Sequence, residues 1–223
     1  MALPVAPMAL LAAADDNGGQ FTTHHVVDTH VRGKALSMVY TNDMVSVESS
    51  IQTMEQFLTE DKHQVVSFDL EYTIGRAGHD QKVVVAQLCM RHDILVYHYH
   101  LATRPCERFS RFINSSDYKV DTTNYLKALK VSGLKCPNLV NIQHHYKVWG
   151  SDKNKLNSLV DLASTIIDPY YMKMKNESKK DKNAWHSVWH ERLDEQHVKY
   201  AAKDAYTSFE MYRRIVDMRK CLL

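Results

Sequence analysis

Two pairs of side chains carry the chemistry that this sequence offers. Asp69 and Glu71 close the otherwise apolar run VVSFDLEYT, Val65 to Thr73. Residues two apart on a strand point to the same face, so both carboxylates can grip one ion. A carboxylate buried without a partner is costly, and acids that end an apolar strand must therefore meet solvent, a cation or a metal. Tyr200 and Asp204 are four apart in QHVKYAAKDAY, which sets a phenol and a carboxylate one turn apart on a single helix face. If that face lies across the strand end, Asp69, Glu71 and Asp204 make an all-oxygen cluster suited to Mg²⁺ or Mn²⁺. Such clusters serve two-metal phosphoryl transfer, in which the ions activate water and stabilise the leaving oxygen; Tyr200 would orient the attacking water. The plainer reading makes Asp69 and Glu71 solvated acids at a strand terminus, Tyr200 a half-buried helix residue and Asp204 a surface acid. The joint spacing of the two pairs favours the metal.

These residues need a strand, a helix and a sheet to hold them. FTTHHVVDTHVRGKALSMVY, Phe21 to Tyr40, is rich in β-branched residues and broken by Gly33 and Lys34, which predicts a β-hairpin. Val47, Ile51, Met54, Phe57 and Leu58 recur at helical spacing just before the Asp69 strand. Strands are then predicted at Val65 to Leu70, Val83 to Met90 and Ile94 to Tyr99, with short connections that favour an antiparallel meander. A helix over Cys106 to Ile113, a weak strand at Tyr118 to Asp121, a short helix that Gly133 stops, and a strand at Asn138 to Ile142 follow. Leu156, Leu159, Val160, Ala163, Ile166 and Ile167 form an apolar helical stripe that Pro169 ends. After the charge run MKMKNESKKDKN, read as a solvated surface loop, comes a long final helix with Val198, Ala201, Ala202, Ala205, Phe209 and Tyr212 on its core face.

Composition narrows the classes. At 223 residues the chain suits one well-cored domain, expected over residues 21–223 behind a flexible tail at 1–20. The tail is apolar for fourteen residues but lacks a basic start, contains Pro4 and Pro7, and is too short to span a bilayer. No other segment approaches membrane-spanning length, so no membrane partner is expected. A net charge of +2 permits nucleic-acid binding without announcing it. Cys89, Cys106, Cys136 and Cys221 form no CxxC pair, and the thirteen histidines match no zinc spacing. A reduced intracellular protein, in nucleus or cytoplasm, is the expectation.

FDLEYT, the VVVAQLC strand and, more than a hundred residues on, QHVKYAAKDAY together resemble the DEDD-superfamily 3′–5′ exonucleases whose third motif is YxxxD, and among them the Werner syndrome-like exonucleases of plant type. NSLVDLAS and WHSVWHERLDEQ belong to the same likeness, which runs from Phe21 to the C-terminus. It implies an RNase H-like α/β fold: a mixed five-stranded sheet flanked by helices, its first three strands antiparallel, with an N-terminal β-hairpin extension. It also implies removal of nucleotides from DNA or RNA 3′ ends with Mg²⁺ or Mn²⁺. By motif position Asp69 and Glu71 match the acids of the first motif, and Tyr200 and Asp204 match the third. The second motif departs from the pattern: its Asp falls on Asn124, and the strand YKVDTTN before it is shortened. Asp121, three residues earlier, is the candidate substitute. An amide offers one neutral oxygen and cannot neutralise a second divalent ion, so the two-ion site is expected to be compromised and catalysis reduced. A catalytically inactive exonuclease-fold protein that binds nucleic acid or regulates is the rival reading. Arg76 and His79, just beyond the Asp69 strand, are placed in chain order to reach a substrate strand.

Overall fold

The computed structural model describes residues 19–28, 35–72, 82–115, 119–121, 126–149, 155–156, 158–172 and 188–220. All but the last two residues of the expected tail, the hairpin turn at Gly33 and Lys34, Arg76, His79, Asn124 and nearly all of the MKMKNESKKDKN loop lie outside them.

Within them the chain forms β1 (Thr22–Asp28), β2 (Ala35–Thr41), α1 (Met44–Glu60), β3 (Val65–Tyr72), β4 (Val83–Met90) and β5 (Asp93–Tyr97). A 3₁₀ turn (Tyr99–Leu101) and α2 (Glu107–Ile113) lead to β6 (Lys119–Asp121), α3 (Leu126–Val131), β7 (Leu139–Val140) and α4 (Ile142–His145). The chain continues through β8 (Val148–Trp149), β9 (Lys155–Leu156) and α5 (Leu159–Ile166) to the long α6 (Glu195–Lys220).

The expected mixed five-stranded sheet is present in the order β5-β4-β3-β6-β7, with β3, β4 and β5 antiparallel and β6 and β7 parallel to β3. The hairpin extends this sheet: β2 pairs in parallel with β5, giving seven strands in the order β1-β2-β5-β4-β3-β6-β7.

Alternation along β3 decides what each face receives. Phe68 packs 6.3 Å, centroid to centroid, from Phe109 of α2, and Tyr97 of β5 approaches the same ring at 5.2 Å; α1 and α2 cover this side. Ser67, Asp69 and Glu71 point the other way, toward α6, and the Ser67 hydroxyl donates to the Ala205 carbonyl at 2.6 Å.

The helices begin where their sequences supply caps. Asp43 accepts from the Ser46 N–H at the start of α1, whose Val47, Ile51, Met54 and Leu58 are buried. Asp194 accepts from the His197 N–H at 2.9 Å at the start of α6. On α6 all six residues picked out by periodicity are buried. Gly133, at φ 72°, takes the left-handed conformation that ends α3, with the Leu134 N–H donating to Leu129 O. Arg214 of α6 donates to the carbonyls of Ile166 and Ile167 at the end of α5, locking the two helices together.

Several boundaries differ from expectation, three of them by more than a residue or through a change of element. Leu156, assigned to the α5 stripe, lies on β9, which pairs with β8; Ser158 then caps α5, and this cap sets the helix start at Leu159. β5 ends at Tyr97: the His98 N–H donates to Thr41 O in the last rung of the parallel β2–β5 ladder, and the chain then turns into the 3₁₀ segment. β7 is two residues long, and Ile142 starts α4.

Candidate active site

Asp69, Glu71, Tyr200 and Asp204 meet at the C-terminal end of β3, beneath the first turns of α6. A register irregularity at Glu71/Tyr72 lies at this strand end, a feature that re-aims side chains. Burial, the Asp69 charge and the Asp204 charge together push Glu71 well above the usual carboxylate range. Burial and the Asp69 charge raise Asp204 to about 7, against the opposing pull of the Tyr200 hydrogen bond and Lys203. The Tyr200 O–H donates to the Asp204 carboxylate; that negative charge first, and burial second, hold the phenol far above its ordinary value. Tyr200 is therefore a protonated donor throughout the working pH range.

The first turns of α6 are held over the strand end from two sides. Downstream, Ser67 ties Ala205, the residue after Asp204, to the strand two residues before Asp69. Upstream, the segment entering α6 is gripped from the sheet: the Leu193 N–H donates to the Tyr40 hydroxyl at 2.8 Å, and His98 Nε2 lies 2.7 Å from Glu191 O. Trp189, only 1% exposed, packs its ring 6.3 Å from that of Tyr200 and 5.3 Å from that of His197. Sequence reading missed these supports. Ser67 had a local signal, the polar alternation Ser67, Asp69, Glu71; Tyr40 and His98 had none, since their partners are remote in the chain.

Two measurements test these clamps. Ser67→Ala removes a buried hydrogen bond worth about 1 kcal/mol and is expected to lower the melting temperature by roughly 2–4 °C; an unchanged melting curve would count against the tie. His98 is fully buried, and burial depresses its imidazole to about 4 from the ordinary 6.5. Between these values the unfolded chain takes up a proton that the native state refuses. Stability is present above pH 6.5 and drains away as pH falls toward 4, by about 3 kcal/mol in total. Denaturant titrations from pH 7 to 5 should show a steeper loss for wild type than for His98→Gln, and parallel curves would refute the assignment.

The donor set at the strand end fits a hard divalent cation. Three carboxylates supply only oxygen, and their mutual repulsion is what a cation between them would relieve. As the side chains lie, no group of three or more His, Cys, Asp or Glu residues among those described is placed to hold a metal ion, so the fit is one of donor chemistry. The Asp121 backbone pairs with Ser67, so its place is one strand over and two residues short of Asp69. No helix among the described residues is long and apolar enough to cross a membrane.

Residues 44–219 match the model of a 3′–5′ exonuclease family. No curated protein sequence matches the chain significantly. Among solved structures, the fold is similar to the Nibbler EXO domain of Aedes aegypti, with 15% identity and a TM-score of 0.55 over 78% of this chain and 86% of that one. It is also similar to the catalytic core of RRP6 from Trypanosoma brucei, with 14% identity and a TM-score of 0.56 over 78% of this chain and 45% of that one. RNase D of Trypanosoma brucei in complex with RNA U12 aligns with 10% identity and a TM-score of 0.59 over 80% of this chain and 62% of that one. The chain thus spans most of the Nibbler domain and roughly half to two thirds of the other two.

Proposed function

The chain belongs to the 3′–5′ exonuclease family, and from that premise we propose that it is a divalent-metal-dependent 3′–5′ exonuclease of the DEDD superfamily, Werner-like and of plant type, with an attenuated second metal position. The observation that carries this reading is the convergence of Asp69 and Glu71 with Tyr200 and Asp204, where burial and the neighbouring carboxylates raise the proton affinity of Glu71 and Asp204.

Asp69, Glu71 and Asp204 would hold Mg²⁺ or Mn²⁺. When bound, such ions supply an activated water and stabilise the departing oxygen of a phosphodiester. The protein's own part is positional. Tyr200, fixed by its bond to Asp204 and by Trp189, presents a protonated hydroxyl beside the carboxylates to orient water. Ser67, Tyr40 and His98 keep that hydroxyl and Asp204 at a set height over β3. Arg76 and His79 are the proposed contacts to the substrate strand.

Asn124 at the second-motif position supports weakened turnover, and it equally supports a second reading: an exonuclease-fold protein that binds nucleic acid or regulates without cutting. RNA bound in the RNase D relative favours RNA 3′ ends alongside DNA as ligands. The domain is proposed to run over 21–223 behind the tail at 1–20, in an intracellular protein of nucleus or cytoplasm.

One experiment separates the readings. Single-stranded and 3′-recessed DNA and RNA, labelled at the 5′ end, are incubated with the protein in Mg²⁺ or Mn²⁺ beside an Asp69→Ala control. Slow ladders shortened from the 3′ end in wild type and absent in the control are expected. Binding without ladders in both would leave the non-cutting reading standing.

A further inference from the structure

Gln87 is fully buried in the middle of β4, and neither its amide nitrogen nor its amide oxygen has a hydrogen-bond partner among the described residues. A buried carboxamide left unpaired has given up its bonds to water without replacement. A methionine would fill the same space without that penalty, so the amide needs a reason to be there.

The sheet register supplies one. β4 lies between β3 and β5, and Gln87 stands directly across from Asp69 on one side and Val96 on the other. Partners in register share a face, which puts Gln87 on the α6 side of the sheet with the carboxylates. Along β4 its neighbours on that face are Val85 and Cys89. In its own row, then, the polar neighbour on β3 is Asp69. The register and the unpaired amide are separate observations, and both point at the same carboxylate.

We propose that Gln87 is a positioning residue of the carboxylate site, its amide NH₂ holding the Asp69 carboxylate in the orientation that binds a divalent cation. The inference rests on the metal reading above. In the arrangement described, Asp69 Oδ1 accepts from the N–H of its neighbour Leu70 at 2.9 Å. The Gln87 amide is the donor that this carboxylate takes up when it turns to hold an ion. Gln87 touches neither substrate nor reacting atoms; it acts through Asp69, as residues behind metal ligands commonly do.

The test is Mn²⁺ affinity by isothermal titration calorimetry for wild type, Gln87→Met and Gln87→Leu, with melting temperatures in EDTA measured alongside. Removing the amide is expected to weaken Mn²⁺ binding roughly 10- to 100-fold while leaving the ion-free melting temperature equal to or above that of wild type. A structural role predicts the reverse, a lower melting temperature with unaltered affinity. Affinity within about twofold of wild type in both variants, or a melting temperature that falls in both, overturns the proposal. If wild type and Asp69→Ala alike bind no Mn²⁺, the metal reading itself fails. Binding in wild type that persists unweakened in the Gln87 variants defeats the Gln87 inference alone.

Discussion

Asp204→Asn is expected to leave the protein unable to bind metal and yet more stable in its absence. Asp204 is raised to about 7 by burial and the Asp69 charge, far above its ordinary 3.8. Between those values the native state keeps a proton that the unfolded chain has released. The stability of the metal-free protein therefore falls as pH rises from about 4 to 7, by at most about 4 kcal/mol. Above pH 7 the native protein carries the repulsion in full. The asparagine keeps the shape and an oxygen to accept from Tyr200, and it removes the charge.

In EDTA at pH 8 the variant should melt roughly 5–10 °C above wild type, given about 2–4 °C per kcal/mol for a chain of this size. Saturating Mn²⁺ should raise wild type and leave the variant where it was. Any 3′-end degradation should fall roughly 100-fold or more, since a metal ligand contributes several kcal/mol of transition-state stabilisation. Such opposition between stability and activity is what a site of crowded carboxylates predicts. A variant that melts below wild type in EDTA would show that the carboxylates do not strain the fold, and the metal site would lose its main support.

Asn124→Asp is the second large effect, and it runs in the opposite direction. The missing carboxylate should return as a ligand for a second ion, and turnover should rise at least roughly tenfold. The rival position, Asp121, is disfavoured by register. It pairs with Ser67, about 6.6 Å short of the level of Asp69 at a strand's usual rise. β6 runs parallel to β3, with Asp121 its last residue. Asp121→Asn should accordingly change the residual rate by less than about twofold. A collapse of activity in Asp121→Asn, with no gain in Asn124→Asp, would assign the fourth acid to Asp121 and reverse this argument.

Much of the architecture follows from patterns that are local. Alternation in VVSFDLEY sends Phe68 and Leu70 to one face and Ser67, Asp69 and Glu71 to the other, whatever the rest of the chain does. The 3.6-residue period places Tyr200 and Asp204 together on α6, and Asp43, Ser158 and Gly133 mark helix ends through chemistry within a few residues. These signals sufficed for the α/β class, the five core strands and the buried face of α6.

Where sequence reading erred, it lacked the strand partner. Leu156 fits the stripe of α5 by period, yet its backbone pairs antiparallel with Val148. The parallel docking of β2 on β5, which widens the sheet to seven strands, is a contact between segments far apart in the chain.

By itself, then, the sequence determined which residues carry charge, on which local face each stands, and that two carboxylates end a buried strand. Only the tertiary structure decided that Asp204 arrives from the far end of the chain to face them, and that Ser67, Tyr40 and His98 hold it there. It also decided that Gln87 stands unpaired beside Asp69. The raised proton affinities of Glu71 and Asp204 belong to the tertiary structure for the same reason. Desolvation and charge repulsion depend on distance through space and on exclusion of water, and neither exists until segments remote in the chain have packed together.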